Sequence, residues 1–201
     1  MPTTAAWSSH SDKGGVFSMG KNILILTGSP RPGANSLIMA EAFAKAAQKN
    51  GHAATLVKTA QLRVGGCRAC EKCWTGGKPC IQQDDMQKLY PQLNLADIIV
   101  FASPLYFYGL SAQLKAVIDR FYPLTKDDKL PAFGGKQCVL LLCGASEDED
   151  DFEGAIRTYE LICDYAGWED CGVVSACGVT NPGDVKGTVW MDEVEALAGQ
   201  F

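Results

Sequence analysis

Residues 22–58 read NILILTGSPRPGANSLIMAEAFAKAAQKNGHAATLVK, and this stretch decides the fold. Residues 22–27 are apolar and rich in β-branched side chains, which predicts a buried strand. Residues 37–50 repeat apolar side chains at helical spacing, and Gly51 stands where helices commonly end. Residues 53–58 predict a second strand. A strand, a helix and a strand in this order form the unit from which parallel sheets are built.

The same alternation continues along the rest of the chain. Further strands are predicted at 96–104, 136–144 and 172–179, and further helices at 111–122, 154–168, 184–197 and from Asp84 onward. The pattern predicts an α/β fold, a flavodoxin-like three-layer sandwich with a five-stranded parallel sheet in the order 2-1-3-4-5. We expect this domain to cover residues 21–201 and to follow a flexible tail of residues 1–20.

Composition narrows the classes of function. The 201 residues carry a net charge of -5 without any basic run, so neither nucleic acid nor an anionic membrane is an expected partner. The N-terminal residues lack the apolar core of a secretory signal, and no stretch is apolar for long enough to span a bilayer. Together with 9 cysteines, these features predict a protein of the reducing cytoplasm.

Ligands of such sheets bind beyond the carboxyl ends of the strands, where three loops are expected to meet. The first loop, residues 28–36, leads into a helix, so its backbone N–H groups are suited to an anion. Ser29, Asn35 and Ser36 can donate to phosphate oxygens and Arg31 adds positive charge. The loop matches neither the GxxxxGK[ST] nor the GxGxxG pattern. A plain turn capped by its own Ser and Asn is the alternative.

The second loop is unusually aromatic, with the sequence PLYFYG at residues 104–109. Flat side chains together with Gly109 allow a planar ring to lie against the backbone. The aromatic side chains could instead cover the core or fill a dimer contact. The third loop, at 143–146, is built from small residues that let a ligand approach closely. An anion loop beside an aromatic loop implies a mononucleotide with a large ring, and FMN fits.

With GSPRPGANS at 28–36 and SPLYFYGLSAQLKAVIDRF at 103–121, the chain resembles the NADPH-dependent FMN reductase-like and iron–sulfur flavoprotein family. The resemblance implies an FMN-dependent NAD(P)H oxidoreductase that reduces a small-molecule acceptor and forms homodimers or homotetramers. The flavin carries the chemistry, so no catalytic side chain is expected. The residues implied around FMN are Ser29, Arg31, Asn35, Ser36 and Leu37 at the phosphate, Pro104, Leu105, Tyr106, Phe107 and Gly109 along the ribityl chain and ring, and Gly144 and Ala145 from the fourth strand.

Four cysteines form a compact group in GGCRACEKCWTGGKPC, at Cys67, Cys70, Cys73 and Cys80. Their spacing leaves three interpretations open, namely ligands of a [4Fe–4S] cluster, a metal-free loop that lines the flavin site, and a zinc site. Iron–sulfur flavoproteins have such a motif at this position. The resemblance therefore also implies an alternative function, in which a ferredoxin-like donor sends electrons through a cluster to FMN. The remaining cysteines are expected mainly in the core.

Overall fold

A computed structural model describes residues 20–76, 79–126 and 133–201. Apart from Gly20, the predicted tail lies outside these residues. The described strands are β1 (Asn22–Thr27), β2 (Ala53–Lys58), β3 (Ile98–Tyr106), β4 (Gly109–Leu110), β5 (Gln137–Cys143) and β6 (Glu169–Ala176). The described α-helices are α1 (Asn35–Lys49), α2 (Lys72–Thr75), α3 (Met86–Leu95), α4 (Ala112–Asp119), α5 (Glu153–Ala166) and α6 (Val189–Ala198), with 3₁₀ turns at Thr59–Gln61, Tyr122–Thr125 and Glu149–Phe152.

The long strands pair in the order β2-β1-β3-β5-β6, and every one of these pairings is parallel. This order confirms the predicted sheet, because the short β4 only pairs with the end of β3 as a hairpin. The chain reverses its direction of winding between β1 and β3. The carboxyl ends of these two strands therefore border the crevice in which such folds bind ligands.

Side chains alternate between the two faces of the sheet and build two separate cores. Leu24, Leu26 and Phe101 point into a core that α3, α4 and α5 cover. Ile25 and Val100 point into a second core that α1 and α6 cover. Both faces of the sheet are therefore buried, which explains the continuous apolar runs at 23–26 in β1 and 98–102 in β3.

Several boundaries differ from the predicted ones for identifiable reasons. Helix α3 begins at Met86 rather than at Asp84, because the Asp84 carboxylate accepts a hydrogen bond from the Met86 N–H instead of lying within the helix. The last helix begins at Val189 rather than at residue 184. The Asp184 carboxylate there closes a turn by accepting hydrogen bonds from the backbone N–H groups of Thr180 and Asn181.

The aromatic segment is a β-hairpin rather than the predicted loop. Strand β3 continues through Tyr106, and β4 returns antiparallel to it after Phe107 and Tyr108. Both turn residues have positive φ angles, +46° and +61°, as a tight two-residue hairpin requires. No helix of the described ranges is long and apolar enough to cross a membrane.

Candidate functional site

A cavity of about 180 Å³ opens where β1, β3 and β5 end, which is the edge that the topology predicts. Four segments of the chain surround it: the loop after β1, the end of β3, the loop after β5 and the loop after β6. The residues that line it are Ser29, Arg31, Ala34, Asn35, Ser36, Pro104, Leu105, Tyr106, Cys143, Gly144, Ala145, Val179, Thr180 and Pro182.

The first turn of α1 has the features of an anion site. Among the described residues no side chain caps this helix at Ala34. Ala34, Asn35 and Ser36 at its start line the cavity, so the positive end of the helix dipole lies there. Ser36 is fully buried, and among the described residues its hydroxyl has no hydrogen-bond partner. A buried polar atom without a partner is costly unless a ligand satisfies it. A phosphate oxygen is a hydrogen-bond acceptor that could satisfy the Ser36 hydroxyl and the N–H groups at the helix start.

Arg31 supplies a positive charge beside the same helix start. Its backbone N–H donates to the Ser29 hydroxyl at 3.2 Å, which shapes the turn. Its guanidinium donates to the Thr180 carbonyl at 3.1 Å and so lies between the first and the last loop of the site. One carbonyl uses only part of the donor capacity of a guanidinium, and the remaining N–H groups can serve an anion.

Two buried hydroxyl groups connect the loop after β1 with the end of β3 and the start of α4. The Ser111 hydroxyl donates to the Gly28 carbonyl at 2.8 Å, and the Ser111 N–H donates to the Ser103 hydroxyl at 3.0 Å. The same Ser111 hydroxyl caps α4 by accepting the Leu114 N–H. A Cβ atom at Gly28 would lie 2.9 Å from the Leu114 Cβ atom and would collide with Ser111. Glycine at the end of β1 therefore allows the close approach of α4 and fixes the distance between these walls.

The aromatic hairpin stands at the rim of the cavity. Tyr106 lines the cavity and is 40% exposed, while Phe107 at the tip is fully exposed. Left-handed backbone at two consecutive non-glycine residues stores strain, which collects at functional sites. An exposed apolar tip beside an anion site offers a surface for a flat ring.

The third wall comes from the end of β5. A Cβ atom at Gly144 would lie 3.0 Å from the Phe152 ring and 3.1 Å from the Leu105 Cβ atom, so only glycine fits there without displacing its neighbours. Cys143 precedes it, and burial raises the pKa of this thiol to about 12, although the N–H and hydroxyl groups of Ser36 lie near enough to the sulfur to act in the opposite direction. The thiol is therefore protonated near neutral pH and is no nucleophile.

Most residues that the sequence placed around a flavin come together at this cavity. Those lining it are Ser29, Arg31, Asn35, Ser36, Pro104, Leu105, Tyr106, Gly144 and Ala145. Those outside the lining are Leu37 on α1, Phe107 at the hairpin tip and Gly109 on β4.

The sequence analysis missed the wall that follows β6, formed by Val179, Thr180 and Pro182. Strand β6 lies at the edge of the sheet, away from the crevice, so strand order gave no reason to include its loop. The sequence Asn181-Pro182-Gly183 is typical of a turn, but only the structure shows that this loop crosses back to α1.

The four clustered cysteines lie apart from the cavity, and none of them is among its lining residues. Cys67 and Cys70 are exposed, whereas Cys73 on α2 and Cys80 are buried. In residues 20–76, 79–126 and 133–201, no three Cys, His, Asp or Glu side chains are close enough together to hold a metal ion. The described residues therefore offer no preformed site for a single ion such as zinc. The four thiols are nevertheless neighbours, because burial raises the pKa of the Cys73 thiol and Cys80, Cys70 and Cys67 lie near enough to raise it further.

A buried ion pair holds the two ends of the cysteine segment together. Arg120 is 1% exposed, and its guanidinium donates to the Asp84 carboxylate at 2.7 and 3.2 Å and to the Gly65 carbonyl at 2.8 Å. The Gly65 N–H in turn donates to Asp84 at 3.1 Å. Residues 65 and 84 flank all four cysteines, so Arg120 closes the base of this segment against the end of α4.

This ion pair predicts a pH dependence of stability. Burial acts to raise the pKa of the Asp84 carboxyl, but the Arg120 hydrogen bond, the Gly65 N–H and the Arg120 charge outweigh it and hold the pKa below its usual value. Because the folded pKa is the lower one, this stabilisation is fully present above about pH 4, the pKa of an unfolded Asp. It should be lost as the pH falls through the folded pKa. Urea unfolding between about pH 6 and pH 3 measures the decline.

The matched variant for this prediction is Asp84→Asn, which removes the titrating group. Its free energy of unfolding should fall less steeply with decreasing pH than that of the unaltered chain. An identical slope for both proteins would show that Asp84 contributes nothing to acid sensitivity.

Comparison with known proteins identifies the family of this chain. A family model described as NADPH-dependent FMN reductase matches residues 21–151. An "Iron-sulfur flavoprotein" of Archaeoglobus fulgidus is 29% identical over 126 residues, 62% of this chain and 56% of that protein. A Bacillus subtilis protein whose name assigns it as an NAD(P)H-dependent FMN-containing oxidoreductase is 27% identical over 167 residues, 81% of this chain and 88% of that protein.

The iron–sulfur relative is matched over little more than half of its length, so similarity to it does not extend over that whole protein. Among solved structures, an azoreductase from Bacillus anthracis superimposes with a TM-score of 0.71 at 19% identity, covering 90% of this chain and 100% of that one. At this identity the likeness concerns the fold alone. It agrees with the flavodoxin-like sheet order.

Proposed function

This chain belongs to the NADPH-dependent FMN reductase family, and we propose that it is an FMN-dependent NAD(P)H oxidoreductase that reduces small-molecule acceptors. The flavin-binding domain in this proposal is the one predicted at residues 21–201. The acceptor belongs to the class of quinones, free flavins or other small electrophiles.

The observation that carries the proposal is the cavity at the start of α1. An uncapped helix start, a buried Ser36 hydroxyl without a partner and the Arg31 guanidinium converge on it. These groups suit the phosphate of a mononucleotide. Pro104, Leu105 and Tyr106 line the same cavity and suit the ribityl chain and the inner edge of a ring.

The size of the cavity fits a flavin that remains accessible. Its volume of about 180 Å³ is below the roughly 300–1,000 Å³ of sites that enclose a whole ligand of this class. A ligand of the size of FMN would therefore extend beyond the cavity. When bound, FMN supplies hydride and electron transfer between a nicotinamide and an acceptor. The residues of this chain bind and orient it and leave one side open to both partners.

The test is reduction of the FMN-loaded chain by NADH and by NADPH without oxygen, followed by turnover with a quinone. We expect the visible absorbance of the oxidised flavin to bleach and then to return when acceptor is added. A chain that binds FMN but is reduced by neither nicotinamide would overturn the proposed activity.

A second candidate function is that of an iron–sulfur flavoprotein fed by a ferredoxin-like donor. Its support comes from the names of relatives such as the Archaeoglobus fulgidus protein and from the spacing of Cys67, Cys70, Cys73 and Cys80. Iron and acid-labile sulfide analysis of chain purified without oxygen decides the matter, since a cluster of this type requires about four irons per chain.

We further propose a homodimer or homotetramer in the cytoplasm. The exposed Phe107 and Tyr108 at the hairpin tip support self-association, and the free thiols support a reducing compartment. Sedimentation of the FMN-loaded chain tests the assembly, and a purely monomeric protein would contradict it.

A further inference from the structure

The loop between β6 and α6, residues 177–188, supplies the wall of the cavity that no strand order predicts. The beginning of this loop is hydrogen-bonded to the loop after β5. The Val179 N–H donates to the Gly144 carbonyl at 2.9 Å, and the Gly178 N–H donates to the Ser146 carbonyl at 2.7 Å. Its middle part then reaches α1. Side-chain hydrogen bonds from the start of α1 hold this middle part in place.

The Asn35 side chain makes that connection with both ends of its carboxamide. Its Nδ2 donates to the Asn181 carbonyl at 3.0 Å. Its Oδ1 accepts from the Gly183 N–H at 2.9 Å and from the Val185 N–H at 3.3 Å. A carboxamide offers two donors and two acceptor positions, so three of these four are used by the loop. Asn35 is only 7% exposed, which makes these bonds well shielded from water.

We propose that Asn35 is a positioning residue that locks the β6–α6 loop onto the start of α1, and so shapes the cavity wall against which the flavin phosphate is held. The inference rests on the proposed function for its ligand. It gives Asn35 a role different from the direct phosphate contact that the sequence suggested.

Two further sets of contacts explain how hydrogen bonds at Asn35 alone can position the whole loop. Arg31 donates to the Thr180 carbonyl at 3.1 Å, so the lock and the cation hold the loop at neighbouring points. Asp184 closes a turn over residues 180–184 through its carboxylate and its own N–H, which donates to the Asn181 carbonyl at 3.1 Å. Because the turn is internally bonded, fixing it at Asn35 fixes Thr180 and Pro182 at the cavity as well.

The test combines hydrogen exchange of the chain without FMN and titration with FMN. In Asn35→Ala the Gly183 and Val185 N–H groups lose their acceptor, so we expect their exchange to accelerate by about 10-fold or more. The apparent association constant for FMN should equal the original constant multiplied by the fraction of time that the loop spends against α1. Thermal unfolding of the same sample confirms that the variant is folded.

Two variants serve as controls. Asn35→Asp keeps the acceptor for Gly183 and Val185, so we expect it to restore most of their protection, which a general loosening of α1 would not allow. Ser36→Ala is the neighbouring substitution, and it should lower FMN affinity while leaving exchange of these two amides unchanged.

Two outcomes would overturn the inference. Loss of FMN affinity in Asn35→Ala with unchanged exchange would make Asn35 a direct ligand of the phosphate. Faster exchange with unchanged FMN affinity would show that the loop is not part of the site. If the unaltered chain failed to bind FMN, the proposed function would fall on its own, and exchange at Gly183 and Val185 would still decide whether Asn35 locks the loop.

Discussion

Replacing Arg120 with alanine should lower the free energy of unfolding by about 3–5 kcal/mol, the cost expected for breaking a buried ion pair by removing one partner. The substitution leaves the Asp84 carboxylate, only 16% exposed, without its counter-charge. It also leaves the Gly65 carbonyl without its donor at 2.8 Å. Urea or thermal unfolding measures the loss directly.

The chain offers a matched control for this prediction in Arg157, which pairs with Glu160 at 2.7 Å on the surface. Both side chains of that pair are well exposed, so Arg157→Ala should cost at most about 1 kcal/mol. Arg120→Lys keeps the charge but presents a single ammonium, so it should recover only part of the loss. Equal effects of Arg120→Ala and Arg157→Ala would show that the closure of the cysteine segment contributes little to stability.

The second large effect is expected at Ser36, where alanine should weaken FMN binding by roughly 10- to 100-fold. This range follows from about 1.5–3 kcal/mol for a hydrogen bond to a charged group. The fold itself should not suffer. The hydroxyl has no partner among the described residues, so its removal should leave the free energy of unfolding without FMN within about 1 kcal/mol of the original or slightly above it.

Ser175→Ala is the control for this second prediction. The Ser175 hydroxyl on β6 is also buried and also has no partner among the described residues, but Ser175 does not line the cavity. Its removal should therefore leave FMN affinity unchanged. If Ser36→Ala binds FMN as tightly as the unaltered chain does, the phosphate is not held at the start of α1.

The sequence alone was sufficient to predict the strands and their order, because each strand, turn and helix is indicated by residues that are adjacent in the chain. Residues 23–26 are apolar on both faces, and the strand leads to a glycine-rich turn and a helix, which leaves few alternatives to a parallel sheet. The same reasoning placed the loops after β1, β3 and β5 at one edge. Ser29, Ser36, Tyr106 and Gly144 line the cavity for that reason.

What could not be predicted depends on contacts between residues that are distant in the chain. Asn35 lies far in sequence from Asn181 and Val185, and no local pattern announces their hydrogen bonds. Likewise, the pattern of an amphipathic helix gives no sign that Arg120 at its end is buried against Asp84. The cysteine spacing was equally ambiguous, because spacing does not say whether thiols converge on one point or separate.

The most direct test of this account is a comparison of FMN with riboflavin, which lacks the phosphate, in fluorescence titrations of the purified chain. In the proposed function the start of α1, Ser36 and Arg31 bind the phosphate, so FMN should bind at least about 100-fold more tightly than riboflavin. Equal affinities for the two flavins, or no binding of either, would contradict the assignment of this cavity to a flavin mononucleotide.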